Sequence, residues 1–295
     1  MRVGYVGIGN MGGPMAANLA RAGNEVVIGD LNQPAVDAFT TEHETARPAN
    51  GLAAVGQEAE AVFTCLPNGK IVAEAVLGEG GIAEGMAEGS VLVDMSSSAP
   101  MGTIDLGKTL SERGIRMVDA PVSGGVPRAV EGTIAIMVGG AKEDIEKVRP
   151  ALETMGGQIF ETGGLGSAHA MKSINNVLSA TNLLVGIEAL VVGKKFGLDP
   201  QNMVDILNFS SGKNSATESK LKEYVLSREF NSGFSMDLMI KDVATALDLA
   251  HEMGVPWQIG STIHEMYQAA RNHMIDNADN SDIARWIEAN GGIEL

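Results

Sequence analysis

The sequence predicts an α/β fold in its first half, an all-helical fold in its second half and one long helix between them. Short β-rich runs alternate with helical patterns from residue 1 to about residue 163. After Gly163 and Gly164 only helical patterns follow. Strands that alternate with helices form parallel sheets covered on both faces. We therefore expect a domain of residues 1–163, a linking helix of residues 164–195 and a second domain of residues 196–295.

Seven β-rich runs are predicted to be the strands of the first domain. They are residues 2–7, 25–30, 61–66, 90–95, 116–120, 134–139 and 158–162. The runs at 61–66 and 90–95 are the most apolar, which predicts central strands buried on both faces of the sheet. Glycine and proline punctuate the connections between runs, as at Pro67-Asn68-Gly69.

The rest of the chain shows helical periods. Residues 166–195 give one pattern, which would be about 45 Å long at 1.5 Å per residue. Further helices are predicted at residues 200–208, 215–228, 235–253, 259–274 and 281–289. Asp199-Pro200 indicates a helix start, and Gly254 with Pro256 indicates a stop. We expect a crevice between the two domains, outside the carboxyl ends of the strands, to hold the active site.

Composition excludes several classes of partner. The net charge is −16, which argues against nucleic acid and anionic membranes, because both are held mainly by basic patches. The single cysteine, Cys65, cannot form an internal disulfide and indicates a reducing compartment. The N-terminus shows no secretory signal, and no apolar stretch reaches 18 residues without polar interruption. We expect a cytoplasmic protein.

A glycine pattern follows the first predicted strand. Gly7 would permit a tight turn from strand to helix, Gly9 would let the backbone approach a pyrophosphate, and Gly12 would let the helix pack close to the sheet. The helix N-terminus would offer its N–H groups to the phosphates. Asp30 ends the next strand, about 20 residues on, where an acid binds a ribose 2′-hydroxyl and repels a 2′-phosphate. The context predicts a Rossmann domain that binds NAD in preference to NADP.

The long helix carries the best candidate for acid–base chemistry. The five histidines are scattered and no HExxH motif occurs, so no metal site is predicted. Lys172 and Asn176 are four residues apart and share a helix face, with Asn175 beside them. A lysine here could exchange a proton with a substrate hydroxyl if burial lowered its pKa. From position alone, a solvated helix lysine is the favoured alternative.

Four motifs together resemble those of the β-hydroxyacid dehydrogenase family, which includes 3-hydroxyisobutyrate dehydrogenase and tartronate semialdehyde reductase. In chain order they are Gly7-Ile8-Gly9-Asn10-Met11-Gly12-x-x-Met15-Ala16-x-Asn18-Leu19, Asp119-Ala120-Pro121-Val122-Ser123-Gly124-Gly125, Lys172-x-x-Asn175-Asn176 and Lys241-Asp242. Their order and separations are similar to those of the family over nearly the whole chain. The resemblance implies hydride transfer between NAD and a small 3-hydroxy acid, reversible to the semialdehyde.

The resemblance also implies roles for residues at the matching positions. Lys172 would be the catalytic acid and base, and Asn176 its partner at the substrate, with Asn175 adjacent. Ser123, Gly124 and Gly125 would bind the substrate carboxylate, as expected for consecutive loop amides. Lys241 would lie near the nicotinamide, while Asp242 could equally form a surface charge pair with it. A homodimer or homotetramer would form through the helical half.

Further positions are predicted to contact the cofactor. Asn10 and Met11 fall in the phosphate turn, Leu66 and Pro67 close a strand end, and Ser97 follows Ser96 after the strand that ends near Met95. The family usually has Ser-Thr where this chain has Ser96-Ser97, and the hydroxyl is kept. NADP-using relatives usually carry Asn-Arg after the second strand, where this chain has Asp30-Leu31-Asn32.

The substrate is less well defined by the sequence. The segment from Ser210 to Ser215 matches one that reaches the substrate in the family, where 3-hydroxyisobutyrate dehydrogenases tend to have a tryptophan near Ser215. Polar side chains left unpaired there would be unfavourable. We therefore expect a polar substrate such as serine, glycerate or threonate, with 3-hydroxyisobutyrate as the alternative. Lys213 to Ser215 could instead cap a helix, and His169 could line the crevice or pack between domains.

Three other functions are compatible with the same architecture. A 6-phosphogluconate dehydrogenase would need a basic cluster for its sugar phosphate, and none is evident in the sequence. An imine reductase usually replaces the catalytic lysine. A non-catalytic dinucleotide sensor would keep the glycine pattern without the chemistry, and Lys172 with Asn176 argues against both of the last two.

Overall fold

The computed structural model describes all 295 residues and divides them into two compact units, Met1–Lys172 and Ser173–Leu295. The first unit contains all nine strands and is an α/β structure, whereas the second is helical. This arrangement confirms the predicted fold class.

The sheet of the first unit has the order β3-β2-β1-β4-β5-β6-β8-β7, with β9 paired to β8. The strands are β1 Arg2–Val6, β2 Glu25–Gly29, β3 Ala46–Pro48, β4 Ala61–Thr64, β5 Val91–Asp94, β6 Arg116–Asp119, β7 Val122–Ser123, β8 Ile134–Gly139 and β9 Gly156–Gly163. The pairs from β3 to β6 are all parallel. β8 is antiparallel to β6 and β7 and parallel to β9. The sheet is therefore mostly, and not entirely, parallel.

Helices cover both faces of this sheet. They are α1 Gly12–Arg21, α2 Gln33–Glu42, α3 Leu52–Glu58, α4 Gly69–Leu77, α5 Ile82–Gly85, α6 Pro100–Ser111, α7 Gly125–Glu131 and α8 Lys142–Met155. On β4, Phe63 packs into the core that also contains α1, while Val62 packs into the core on the opposite face. Every residue of β4 and β5 is buried. The two runs predicted to be central strands are confirmed as such.

The long helix α9 runs from Ser167 to Phe196. It is followed by α10 Pro200–Phe209, a π-helix Ala216–Leu226, α11 Met236–Glu252, α12 Gln258–Arg271, a short 3₁₀ turn Asn280–Asp282 and α13 Ile283–Gly291. Asp199 caps α10 by accepting a hydrogen bond from the backbone N–H of Asn202, as its place before Pro200 predicted. In the second unit, Leu183 and Ile187 of α9 pack with Leu221 and Tyr267 in one apolar core.

By length and composition, α9 is also apolar enough to cross a membrane. Its most apolar window has a mean hydropathy of 1.5, and 56% of that window is buried inside the protein. A core helix of a globular protein meets the same criterion, so this property alone identifies no membrane span.

Candidate active site

The carboxyl ends of the six parallel strands β1 to β6 lie at one edge of the sheet, and the strand order changes direction between β1 and β4. In doubly wound sheets, ligands bind outside the strands at such a switch point. The loop after β1 contains the glycine pattern, and the loop after β4 contains Leu66 and Pro67. The fold thus places two sets of predicted cofactor residues on adjacent strand ends.

The three glycines of the turn differ in whether neighbouring protein atoms leave room for a side chain. Gly7 has a φ of +95°, and a Cβ there would lie 2.3 Å from the Cys65 carbonyl oxygen. A Cβ on Gly12 would lie 1.9 Å from the carbonyl oxygen of Gly7. Gly9 is different, because its Cβ would meet no protein atom within 4 Å. The protein itself requires glycine at two positions, whereas the third has open space beside the backbone.

The start of α1 has the features of a phosphate-binding turn. Met11 is the N-cap residue, and its side chain makes no capping hydrogen bond. The backbone N–H of Gly13 donates to Gly9, which closes the turn. A helix leaves its first N–H groups without partners inside the helix, and an anion at the positive end of the helix dipole can accept from them. Asn10 and Met11 lie in this turn, as predicted from the sequence.

Asp30 connects the end of β2 to the glycine turn. Its Oδ2 accepts a hydrogen bond from the backbone N–H of Ile8 at 2.8 Å, and its Oδ1 accepts one from Asn32 at 2.8 Å. A carboxylate offers about four acceptor positions, and these two hydrogen bonds use two of them. The side chain of Leu31 next to it is fully exposed.

A buried carboxylate organises the loop after β5. Asp94 accepts hydrogen bonds from the Thr64 hydroxyl at 3.0 Å, from the backbone N–H of Ser96 at 3.0 Å and from the Ser98 hydroxyl at 2.7 Å. Ser96 and Ser98 are buried, whereas Ser97 between them is partly exposed. The predicted cofactor hydroxyl therefore belongs to the one serine of the three that the loop leaves accessible. The organising role of Asp94 was not evident from the sequence.

The residue after β4 is the single cysteine. Burial raises the pKa of the Cys65 thiol to about 12, and the nearby Asp94 charge adds to the increase. The thiol is therefore neutral at physiological pH and is not an activated nucleophile. It packs against the core beneath the glycine turn.

A second buried carboxylate, Asp119 at the end of β6, caps the start of α9. It accepts hydrogen bonds from the backbone N–H groups of Gly166 and His169, both at 2.8 Å. Burial raises the pKa of Asp119, and His169 and these N–H groups oppose the increase. The cap holds the first turns of α9 at the carboxyl edge of the sheet. Lys172 lies within these turns.

His169 is almost completely buried, and both of its ring nitrogens are engaged within the first unit. Nδ1 lies 2.8 Å from the Thr103 hydroxyl, and Nε2 lies 3.0 Å from the backbone oxygen of Ser96. The ring therefore connects the start of α9 to the loop that contains Ser97. His169 is only 1% exposed, so it stabilises the carboxyl edge of the sheet as a buried residue.

In the second unit, α9 and α11 form a polar cluster. The Asn176 side chain donates to Asp242 Oδ2 at 2.5 Å, and Asn175 donates to the Asn176 side-chain oxygen at 3.2 Å. The ammonium of Lys241 lies 3.0 Å from Asp242 Oδ1. Asp242 is only 2% exposed, so the surface alternative considered for this residue is wrong. Asp242 orients Asn176, which stands one helical turn after Lys172.

The predicted carboxylate-binding residues lie after β6. Ser123 ends the short strand β7, and Gly124 and Gly125 follow with φ angles of +138° and +76°. These conformations favour glycine, and both glycines are exposed. The conformation of this loop therefore depends on glycine at both positions.

The polar segment before the π-helix mostly satisfies its own hydrogen bonds. The side-chain oxygen of Asn214 accepts from the backbone N–H groups of Ala216 at 2.9 Å and Thr217 at 3.2 Å. Lys213 pairs with Glu218 at 2.7 Å, and the Ser215 hydroxyl accepts a long hydrogen bond from Asn182 at 3.3 Å. These contacts favour the capping alternative for Asn214.

The structure thus groups the predicted residues in two sets. The first unit contains the cofactor candidates other than Lys241, the Ser123 loop and Lys172, while the second contains Asn175, Asn176 and Lys241. No group of three or more His, Cys, Asp or Glu side chains could hold a metal ion.

Two family models together match most of the chain. The model for the NAD-binding domain of 6-phosphogluconate dehydrogenase matches residues 2–164. The model described as the NAD-binding domain of NADP-dependent 3-hydroxyisobutyrate dehydrogenase matches residues 166–287.

Individual proteins resemble the chain over its full length. The 2-(hydroxymethyl)glutarate dehydrogenase of Eubacterium barkeri is 36% identical, with 100% of this chain and 97% of the relative covered. The 3-sulfolactaldehyde reductase of Escherichia coli is 31% identical, with 99% and 97% covered. Among solved structures, the Mycobacterium tuberculosis 3-hydroxyisobutyrate dehydrogenase with L-serine superposes with a TM-score of 0.88 at 28% identity, covering 97% of this chain and 99% of that one.

Proposed function

The chain belongs to the β-hydroxyacid dehydrogenase family, and from this premise we propose that Lys172 exchanges the hydroxyl proton of a small 3-hydroxy acid during its reversible oxidation with NAD. The observation that carries this proposal is the orientation of Asn176 by the buried Asp242, one helical turn after Lys172. An oriented carboxamide beside a lysine suits a substrate hydroxyl, because it can donate a hydrogen bond to the substrate oxygen.

The proposed reaction balances with one proton acceptor and one hydride acceptor. In oxidation, neutral Lys172 accepts the hydroxyl proton while the carbinol carbon loses its hydride and becomes an aldehyde carbon. The nicotinamide supplies the hydride acceptor at C4 when it is bound. In reduction, the Lys172 ammonium returns the proton to the oxygen. Ser123, Gly124 and Gly125 would hold the carboxylate, and Lys241 would contribute at the nicotinamide end.

The cofactor is a nicotinamide dinucleotide, and we propose NAD as the preferred form. Gly7, Gly9 and Gly12 would position the pyrophosphate at the start of α1. Asn10, Met11, Leu66, Pro67 and Ser97 supply the remaining predicted contacts. Asp30 supports the choice, because a 2′-phosphate would face its carboxylate.

We predict that Asp30→Asn lowers the ratio of kcat/KM with NAD to kcat/KM with NADP by at least about tenfold, which corresponds to about 1.4 kcal/mol. The asparagine keeps one oxygen to accept from the Ile8 N–H and removes the charge that repels a phosphate. Initial rates with both cofactors measure the ratio. Asp37→Asn, an exposed residue of α2, is the matched control. An unchanged ratio in Asp30→Asn would contradict the proposed selectivity.

The test of the function is a panel of hydroxy acids assayed with NAD and NADP. The panel contains 3-hydroxyisobutyrate, serine, glycerate, threonate and 2-(hydroxymethyl)glutarate, together with 6-phosphogluconate and, in the reducing direction, a cyclic imine. The proposal expects turnover of at least one 3-hydroxy acid. Preferred turnover of 6-phosphogluconate or of the imine would replace it. Stoichiometric NAD binding without any turnover would identify a dinucleotide sensor.

We further propose residues 1–163 as the cofactor domain, residues 164–195 as the linking helix and residues 196–295 as the substrate and oligomerisation domain. The chain would act in the cytoplasm, where its lone thiol stays reduced. No other partner class is supported, since the charge of −16 disfavours nucleic acid and anionic lipid.

We propose that a second copy of the chain covers an apolar stripe on α9, giving a homodimer or a homotetramer. Leu178, Val185 and Val192 are spaced seven residues apart and are 55%, 51% and 70% exposed. This spacing puts them on one helix face, as in helices that pair. We predict that Val192→Glu shifts the mass in size-exclusion chromatography with light scattering toward the monomer, while Gln201→Glu on α10 does not. A monomeric wild-type protein would refute the assembly.

A further inference from the structure

Lys220 is a partly buried lysine that has no acidic partner. It lies in the π-helix, and its ammonium donates a hydrogen bond to the Ser179 hydroxyl of α9 at 2.9 Å. No carboxylate oxygen lies within 4.0 Å of it, whereas Lys213, Lys222 and Lys241 of the same unit each form an ion pair. Burial lowers the pKa of Lys220. A cation that has lost water without gaining an anion is unfavourable.

The one acid whose charge raises the pKa of Lys220 is Asp279, and that carboxylate is already occupied. It accepts from the Ser232 hydroxyl at 2.7 Å, from the Gly233 N–H at 3.0 Å and from the Ser281 N–H at 2.9 Å. These bonds hold it at the turn before α13. The charge of Asp279 therefore offsets part of the effect of burial on the pKa of Lys220, but Asp279 forms no ion pair with Lys220.

The hydrogen bond to Ser179 places Lys220 at the predicted substrate face of α9. Ser179 is three residues after Asn176 and seven after Lys172, and these spacings put the three residues on one side of a helix. Ser179 stands about 4.5 Å beyond Asn176 along the helix axis at 1.5 Å per residue. On the next turn, Leu183 is buried in the apolar core, while Asn182 is polar and donates to the Ser215 hydroxyl.

We propose that Lys220, together with the Ser179 hydroxyl, binds a second carboxylate on the carbon chain of the substrate, which makes the preferred substrate a dicarboxylic 3-hydroxy acid. This inference rests on the proposed function, because it takes Lys172 and Asn176 as the site of hydride and proton transfer. The axial distance of about 4.5 Å between Asn176 and Ser179 matches a carboxylate that is separated from the alcohol carbon by two or three carbon atoms. Lys220 would donate a charge-assisted hydrogen bond to that group.

The experiment compares a diacid with a monoacid in wild type and in Lys220→Met. The substrates are 2-(hydroxymethyl)glutarate and 3-hydroxyisobutyrate, each assayed with NAD, and the readout is the ratio of their kcat/KM values. Methionine keeps much of the side-chain length and removes the charge. We expect the diacid to be preferred by wild type, and the ratio to fall by about 10- to 100-fold in the variant, mainly through KM, as for loss of a hydrogen bond to a charged group.

Two further variants separate this role from a structural one. Lys222→Met lies two residues on in the same π-helix, where Lys222 pairs with Asp205 at the surface, and it should leave the ratio unchanged. Lys220→Arg restores the charge and should recover part of the diacid preference. An equal loss for both substrates in Lys220→Met, or no change in the ratio, would overturn the assignment while monoacid turnover by wild type upholds the proposed function. Absence of wild-type turnover on every 3-hydroxy acid would refute both.

Discussion

Lys172→Ala is expected to lower kcat for 3-hydroxy acid oxidation by about 10²- to 10⁴-fold, the range for loss of a general acid or base. The Kd for NAD should stay within about twofold, since the residues predicted to hold the dinucleotide follow β1, β2, β4 and β5 or, for Lys241, lie on α11. Steady-state kinetics and isothermal titration calorimetry measure the two effects separately. The variant thereby distinguishes loss of chemistry from loss of the cofactor site.

Lys172→Arg separates proton transfer from simple attraction of an anion. Arginine keeps the positive charge but stays protonated at neutral pH, so it cannot accept the hydroxyl proton. We expect the arginine variant to be nearly as slow as the alanine variant. Lys195→Ala, an exposed residue of the same helix, is the control and should retain full turnover. Near-wild-type rates in Lys172→Ala would remove Lys172 from the mechanism.

A methyl group added at Gly12 should mainly lower the stability of the protein, whereas one added at Gly9 should mainly weaken NAD binding. In Gly12→Ala the new Cβ would lie 1.9 Å from the Gly7 oxygen, so the backbone must shift, at a cost of about 1–3 kcal/mol in the free energy of unfolding. In Gly9→Ala the methyl group meets no protein atom within 4 Å, and this free energy should change by less than about 0.5 kcal/mol. The same methyl group occupies the space proposed for the pyrophosphate, so the Kd for NAD should rise at least about tenfold, or about 1.4 kcal/mol.

Urea unfolding and calorimetric titration with NAD test both halves of this prediction. Gly102→Ala on α6 is the matched control for Gly9→Ala, because its Cβ also meets nothing within 4 Å. It should leave NAD binding unchanged and raise the free energy of unfolding by up to about 1 kcal/mol, because alanine favours the helix more than glycine does. Wild-type affinity in Gly9→Ala would show that the pyrophosphate does not approach the backbone at this position.

Elements with a strong local pattern were predictable, and the others were not. The strands at 61–66 and 90–95 are apolar throughout, and α9 has a helical period over its whole length. β3 has three residues and β7 two, which is too short for any alternation to be visible. β8 follows α7 and runs antiparallel to β6 and β7, a direction that its own residues do not encode. A period near 3.6 does not separate a π-helix from an α-helix.

The residues of the candidate site likewise differ in whether a local pattern made them predictable. Residues within one short motif, such as Gly7, Gly9 and Gly12, could be recognised because their roles follow from backbone geometry over a few positions. Lys172 with Asn176 was recognised through a resemblance, since a helix position alone favoured a solvated lysine. The two buried carboxylates at the strand ends and the part played by Asp242 were missed, because an acid in sequence is normally taken to be exposed.

The sequence by itself determined the α/β class, the glycine turn and the acid at the end of β2, because periodicity, turn chemistry and strand-end positions are local properties. Only the tertiary structure decided which side chains support the site. Asp119 caps α9 from 50 residues away, Lys220 reaches Ser179 across 41 residues, and Asp242 holds Asn176 across 66. No local pattern encodes these pairings, since each depends on how separate elements pack and on which buried polar groups then need partners.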